Sequence, residues 1–235
     1  MTTTAAPLTA DAVIFDLDGT LVDSGADIAA AADHARRAAG LSPLPAAVII
    51  GYVGDGTRRL MERVLAHDPA TGRPDRPLAP ADLEAGLAHF GEHYRQHLLD
   101  HTRPYRGVDA LLDVLAPRCL LVATNKPRRF TEEILAGLGL AGRFHRVVAG
   151  DDGPARKPDP AHLQACLAGT GIAPRRAVMV GDSPNDIMAA RGAGMACVAV
   201  SWGLTPRETL VAAGPTALVD DVGILASVLG VALSA

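Results

Sequence analysis

Short apolar runs punctuate the chain at 12–15, 119–123, 146–149, 177–180 and 196–200, with a weaker one at 217–219. The first five are four or five residues long and rich in Val, Ile, Leu and Ala. They do not alternate with polar positions, which is the pattern of strands buried between two layers of helices. Helical patterns fill the gaps at 128–138, 160–169, 184–191 and 206–212. Strand and helix in alternation predict a parallel sheet with right-handed crossovers.

The first run stands apart, with about a hundred residues between it and the second. Residues 23–103 read as helices only, at 27–39, 57–66 and 81–99, around a Pro/Gly-rich loop at 68–80. The expected architecture is therefore an open, Rossmann-like α/β core from 1–22 and 104–235, with a helical unit of 23–103 inserted after the first strand. No internal repeat of fixed period is evident.

Composition narrows the class without changing this picture. The chain has 235 residues, 49% hydrophobic and 20% charged, with 3% aromatics, so Ala, Leu, Val and Gly fill the core. A net charge of −4 points away from nucleic acid and anionic membranes as partners. Cys119, Cys166 and Cys197 are odd in number and far apart, which reads as reduced thiols. Residues 1–10 lack a basic segment followed by an apolar core, so no signal peptide is expected. The apolar tail at 222–235 is too short to span a bilayer and is expected to pack as a last helix. A cytoplasmic protein is expected by elimination. Oligomeric state is not readable.

In an open parallel sheet, ligands bind at the carboxyl ends of the strands. The residues just past each apolar run are therefore informative. Asp16 and Asp18 come after the first, and Thr124, Asn125 and Lys126 after the second. Gly150, Asp151, Asp152 and then Lys157 come after the third, and Asp182, Ser183, Asn185 and Asp186 after the fourth. Four acids, a hydroxyl, an amide and a lysine converge on one edge. Crowded carboxylates raise one another's pKa, a conflict that a divalent cation removes. Oxygen ligands without Cys or His favour Mg²⁺, commonly completed by phosphate. Lysine, hydroxyl and amide donors suit phosphate oxygens. A single aspartate after a strand is as readily a helix cap; the whole set is not.

The runs Asp16-Leu17-Asp18-Gly19-Thr20-Leu21-Val22-Asp23-Ser24, Thr124-Asn125-Lys126-Pro127, Arg156-Lys157-Pro158-Asp159-Pro160 and Val180-Gly181-Asp182-Ser183-Pro184-Asn185-Asp186 carry a resemblance. In order and separation they resemble the haloacid dehalogenase superfamily, in its phosphoglycolate-phosphatase-like branch. The resemblance implies that Asp16 attacks phosphorus and that Asp18 is the general acid and base. It implies Mg²⁺ held by the Asp16 carboxylate, the Asp18 backbone carbonyl and Asp182, with Asp186 holding the metal's waters or orienting Lys157. Thr124 and Asn125 would bind phosphoryl oxygens, helped by the N–H groups of Leu17 and Asp18. Lys157 would neutralise Asp16 and phosphate together. Asp18 argues against the dehalogenase and phosphonate branches, which lack an acid two residues past the nucleophile.

By the same resemblance, 23–103 is a helical cap. Its run Gly51-Tyr52-Val53-Gly54-Asp55-Gly56-Thr57-Arg58-Arg59-Leu60 is the expected underside, with Arg58 or Arg59 meeting a substrate carboxylate. His89, His93, His97 and His101 recur every four residues and read as a solvated polar face. Ser201-Trp202-Gly203-Leu204 and the loop near Gly72 depart from the branch, and are read as leaving the metal site alone. The expected activity is Mg²⁺-dependent hydrolysis of a small phosphorylated metabolite, 2-phosphoglycolate first. A β-phosphoglucomutase-like enzyme, a pyrophosphatase, a phosphatase of another sugar or amino-sugar phosphate, and a non-catalytic phosphate-binding protein stay open.

Overall fold

The computed structural model describes residues 7–233. In chain order the elements are β1 (Ala12–Phe15), β2 (Val22–Asp23), α1 (Gly25–Ala38), α2 (Ala46–Ile50), α3 (Thr57–Ala66), α4 (Pro80–His97) and β3 (Arg103–Pro104). Then come α5 (Val108–Leu115), β4 (Cys119–Ala123), α6 (Arg128–Gly137), β5 (Arg146–Val148) and α7 (Pro160–Leu167). The last are β6 (Ala177–Gly181), α8 (Pro184–Ala193), β7 (Ala196–Val200), α9 (Arg207–Ala213), β8 (Ala217–Val219) and α10 (Val222–Val228). The expected tail helix is α10; the last two residues of the tail, and residues 1–6 of the start, lie outside the described residues.

Six strands form one parallel sheet in the order β5-β4-β1-β6-β7-β8. The chain moves from β1 outward through β4 and β5, then crosses back to build the other side. The order reverses at β1, so a crevice opens where β1, β4 and β6 end. Successive side chains take opposite faces. Val13, Phe15, Val178 and Val180 pack with Leu111, Phe130 and Leu225 on one face. Ala12, Ile14, Ala177 and Met179 pack with Leu163, Ile187 and Leu210 on the other. This two-sided burial is why the strands read as unbroken apolar runs.

Four elements, α5, α2, β2 and β3, lie outside the sequence expectation. α5 has apolar residues at Val108, Leu111, Leu112 and Leu115, all buried, a helical spacing that is visible in the sequence. α2 is five residues and carries too little periodicity. β2 and β3 pair antiparallel over two residues, Val22 opposite Pro104 and Asp23 opposite Arg103. This ribbon brings the start and end of the helical insert together.

Within the insert, Arg36 in the last turn of α1 is buried with no carboxylate partner among the described residues. Its Nη1 donates to Val64 O at 2.5 Å, and Arg76 Nη2 donates to Leu65 O at 2.7 Å. Two guanidiniums thus satisfy carbonyls left open at the carboxyl end of α3, where the helix dipole favours cations. The Pro/Gly-rich loop is held in the same way, with Arg76 N–H on Ala66 O at 2.9 Å.

The four histidines do not form one uniformly solvated face. His101 lies past the last turn of α4 and its Nδ1 meets Asp27 at 2.8 Å. His97 turns to Asp100, while His93 sits half-buried between the rings of His34 and His97, 4.4 Å from each. Asp27, buried in α1, also accepts from Thr102 N–H at 2.8 Å and Thr102 Oγ1 at 2.7 Å. Burial works to raise its pKa, but the bonds from Thr102 and His101 outweigh it and hold the carboxyl low. Asp27→Ala should lower stability by about 3 kcal/mol, a fall in Tm of roughly 8 °C. A depressed acid contributes above its unfolded pKa of 3.8 and loses that contribution as pH falls through the folded value. The Tm gap should hold at pH 7 and 5 and narrow below 3.8; a constant gap would remove Asp27's charge from the account.

Candidate active site

Asp16 leaves β1 at the crevice, and its N–H bonds Val180 O of β6 at 2.9 Å. Its Oδ1 accepts from Leu17 N–H at 2.7 Å and meets Lys157 Nζ at 2.9 Å. Oδ2 has no protein donor among the described residues. Lys157, 3% exposed, also bonds Asp186 Oδ1 at 2.7 Å. The second oxygen of Asp186 accepts Ser183 N–H at 3.0 Å and Ser183 Oγ at 2.7 Å, the capping box of α8. Asp186 is therefore spent on Lys157 and Ser183. Asp182 accepts from Thr20 Oγ1 at 3.3 Å and from Leu204 N–H at 2.7 Å.

Oxygens of Asp16, Asp182 and Asp186 lie within 4.8 Å of one another. Burial pushes the Asp16 carboxyl up to about 7 against the pull of Lys157, with Asp186 adding to the rise. Burial, Asp16 and Asp186 together push Asp182 well above the carboxylate range. Burial opposes the charge on Lys157, yet Asp16 and Asp186 hold its pKa above the ordinary value. The donor set fits a small oxygen-seeking cation: Asp16 Oδ2 and the weakly held Asp182 Oδ1 are available, and the Asp18 carbonyl receives no bond among the described residues. Close packing keeps the set tight. Gly19 has φ +78°, and a side chain there would strike the Asp182 carboxylate.

Asp18 lies beside this cluster. Ser24 Oγ donates to its Oδ1 at 2.5 Å, and Lys126 Nζ sits 3.1 Å from its Oδ2. Thr124 Oγ1 accepts from Lys126 N–H at 3.2 Å and keeps its own proton for an acceptor in the crevice. Asn125 departs from expectation. Its amide is spent within the protein, on Lys157 O at 2.8 Å, Lys157 N at 2.9 Å and Gly54 O at 2.9 Å. The side chain ties the Lys157 loop to the insert, and only the Asn125 backbone N–H stays free among the described residues. Leu17 N–H likewise points at Asp16 and is not open to an external oxygen.

The run at 51–57 does face the core. Gly54 O takes both Asn125 and Asn185, and Asp55 accepts from Asn185 at 2.7 Å. Arg58 does not face it. Its guanidinium reaches Glu84 on the exposed outer side at 2.8 Å, and Arg59 pairs with Glu62. α3 turns its apolar face, with Leu60, inward, which rotates Arg58 and Arg59 away. Gly54, Gly56 and Thr57 line the cavity instead. The run after β7 also corrects its reading. Leu204 N–H holds Asp182, Trp202 Nε1 bonds Thr20 O at 3.3 Å, and Leu204 and Thr205 line the cavity, so this segment belongs to the acid cluster's support.

Sequence reasoning passed over Tyr94. It lies on the buried face of α4 between Phe90 and Phe130, and its hydroxyl accepts from Lys126 Nζ at 2.9 Å. A signal was present: Leu83, Phe90 and Tyr94 share the buried face, and a hydroxyl buried there needs a partner.

Residues 13–200 match the family described as haloacid dehalogenase-like hydrolase. The chain belongs to that family. It is 43% identical over 194 residues to a phosphoglycolate phosphatase of Neisseria meningitidis, covering 82% of this chain and 80% of the relative. It is 41% identical over 221 residues to that of Rhodospirillum rubrum, covering 93% and 90%. Among solved structures, a predicted phosphoglycolate phosphatase from Haemophilus somnus superposes with a TM-score of 0.85 at 30% identity, covering 92% of this chain and 97% of that one. The six-stranded α/β core is thus the family's fold.

Proposed function

We propose that this phosphoric monoester hydrolase cleaves a small phosphate monoester, 2-phosphoglycolate first among candidates, through a covalent phosphate on Asp16. The observation that carries the reading is the shared buried lysine. Lys157 holds Asp16 and Asp186 at 2.9 and 2.7 Å while Asp18, with separate partners, stands free of that pair. Two carboxylates two residues apart thus have different environments and suit different tasks.

Asp16 attacks phosphorus and the bond from phosphorus to the ester oxygen breaks. Asp18 gives its proton to the leaving alkoxide. Water then attacks phosphorus, Asp18 takes its proton, and the Asp16–phosphorus bond breaks to release phosphate. Thr124 Oγ and the Asn125 N–H donate to phosphoryl oxygens, and Lys157 offsets their charge. Asp16, the Asp18 carbonyl and Asp182 would hold Mg²⁺, which would supply charge neutralisation for the transferring group. Residues 23–103 act as a lid on the core of 1–22 and 104–235, latched through Gly54 O, and exclude bulk water. Among the described residues no helix is long and apolar enough to cross a membrane; a cytoplasmic site of action is part of the proposal.

The test is phosphate release from a panel of monoesters with Mg²⁺, ranked by kcat/KM, with EDTA abolishing it. Isomerisation of β-glucose 1-phosphate without net release would replace hydrolysis by mutase chemistry. Metal binding should also depend on pH. With Asp16 raised to about 7, protons compete with Mg²⁺ below that value. An acid with a raised folded pKa favours the fold while protonated, so the metal-free protein should lose stability as pH rises from 3.8 through about 7. Added Mg²⁺ should therefore raise Tm more at pH 8 than at pH 5.5. An equal rise at both would sink the assignment of the acid cluster as the metal site.

A further inference from the structure

The cavity that opens onto Asp16 and Asp18 has apolar walls from both sides: Ile28, Val53, Leu60 and Phe90 from the insert, and Phe130 and Leu204 from the core. Lys126 supplies its one cationic side chain among the described residues. Burial opposes that charge, but Asp18 and the Tyr94 hydroxyl hold the ammonium above its ordinary pKa. An ammonium has three donors. One goes to Tyr94 at 2.9 Å and one toward Asp18 at 3.1 Å, and the third meets no acceptor among the described residues. The Tyr94 hydroxyl accepts from Lys126, and burial pushes its pKa up to about 12, so it keeps its proton. That proton likewise has no acceptor among the described residues. Two unspent donors therefore stand 2.9 Å apart on the wall of the cavity.

Their position defines what they fit. Lys126 meets Asp18, the group that gives a proton to the leaving oxygen, and the Tyr94 hydroxyl stands beside Lys126. An acceptor on the leaving group, a short chain away from the ester oxygen, would meet them. Three carboxylates, Asp16, Asp18 and Asp182, line the same cavity and repel a second negative charge. A dedicated ammonium offsets this, and a carboxylate can take the N–H on one oxygen and the O–H on the other. A site whose buried donors expect an acceptor discriminates against an analogue without one.

We infer that Lys126 and Tyr94 form a subsite for an anionic group on the leaving portion of the substrate, so that the enzyme selects phosphate esters of short hydroxy acids. The inference rests on the hydrolytic reading above and replaces the role expected of Arg58. Lys126 comes from the core and Tyr94 from the insert, so the subsite is complete only while α4 covers the crevice.

The test compares 2-phosphoglycolate with 2-hydroxyethyl phosphate, which keeps the ester and lacks the carboxylate. The wild type should prefer the acid by about 100-fold or more in kcat/KM. That ratio should fall about tenfold in Tyr94→Phe and about fiftyfold in Lys126→Met, the range of one charge-assisted hydrogen bond. Tyr94→Phe keeps the ring stacked on Phe90, 5.3 Å between centroids, and so reads the hydroxyl alone. If both variants lost activity on the two esters equally, Lys126 and Tyr94 would serve only to hold Asp18, and the subsite would be wrong. Calorimetric binding of both esters to Asp16→Asn, with and without Tyr94→Phe, reads the same subsite without turnover. A wild type that released no phosphate, with binding selectivity present and lost in Tyr94→Phe, would remove the hydrolytic reading and keep the subsite. Binding that never distinguished the two esters would remove the subsite.

Discussion

Asp16→Asn should fold normally and turn over slower by on the order of 10⁴-fold or more, as loss of a nucleophile does in other covalent mechanisms. Asparagine keeps an acceptor for Leu17 N–H and Lys157, so the local bonds survive. It removes the attacking carboxylate and one charge from a crowded set. Burial raises Asp16 to about 7, which means that its ionised form costs the fold free energy above that pH. The variant without Mg²⁺ should therefore melt higher than the metal-free wild type at pH 8. The gap should close toward pH 5, where the wild-type carboxyl is protonated. Both effects come from one substitution and are read by different instruments, steady-state phosphate release and calorimetry. Retained turnover would end the nucleophile assignment. A metal-free variant that melted lower at pH 8 would mean that the pair with Lys157 outweighs the crowding.

Lys157→Met should cost stability as well as rate. The ammonium is nearly inaccessible and neutralises two buried carboxylates at once. Removing one partner of a buried ion pair leaves uncompensated charge, at about 3–5 kcal/mol. That corresponds to a Tm fall of roughly 10 °C or more. Turnover should collapse too, because the charge on the transferring phosphoryl group loses its neutralising neighbour. Adding Asp186→Asn to Lys157→Met separates the two roles. The double variant should regain much of the lost stability, since only Asp16 is left unpaired, yet remain inactive. Recovery of activity in the double variant would show that Lys157 matters only for holding Asp186.

The sheet was legible because its central strands are buried on both faces, which leaves a run such as Cys119–Ala123 with no polar interruption. The loops at the ends of such runs meet at one sheet edge, so the gathering of Asp16, Asp18, Asp182 and Asp186 there could be expected from order alone. Arg146 marks the limit on the same ground: it is exposed in an edge strand, and its run ends at Val148, a residue early. Paired elements of two residues leave no period, which hid the β2–β3 ribbon. The misread residues are those whose job depends on a partner far away in sequence. Asn125 has the chemistry of a phosphate ligand, but the Lys157 backbone and Gly54 consume it. Arg58 lies on α3 away from its inward face, and helical spacing turns it to solvent. Leu204 holds Asp182 through its N–H, which any residue type but proline provides, so its identity could not announce that contact.

The ribbon of Val22–Asp23 with Arg103–Pro104 has a consequence for ancestry. The polypeptide departs from the core and rejoins it at neighbouring points, so the intervening segment can be exchanged for one of another length without displacing any strand of the sheet. Asp16, Lys157 and Asp182 stay behind in such an exchange, while Tyr94 and Gly54 travel with the segment. The machinery that breaks the bond and the surface that chooses the molecule can therefore be inherited on separate schedules. A graft of a foreign segment between Val22 and Pro104 is the form in which that independence would be met.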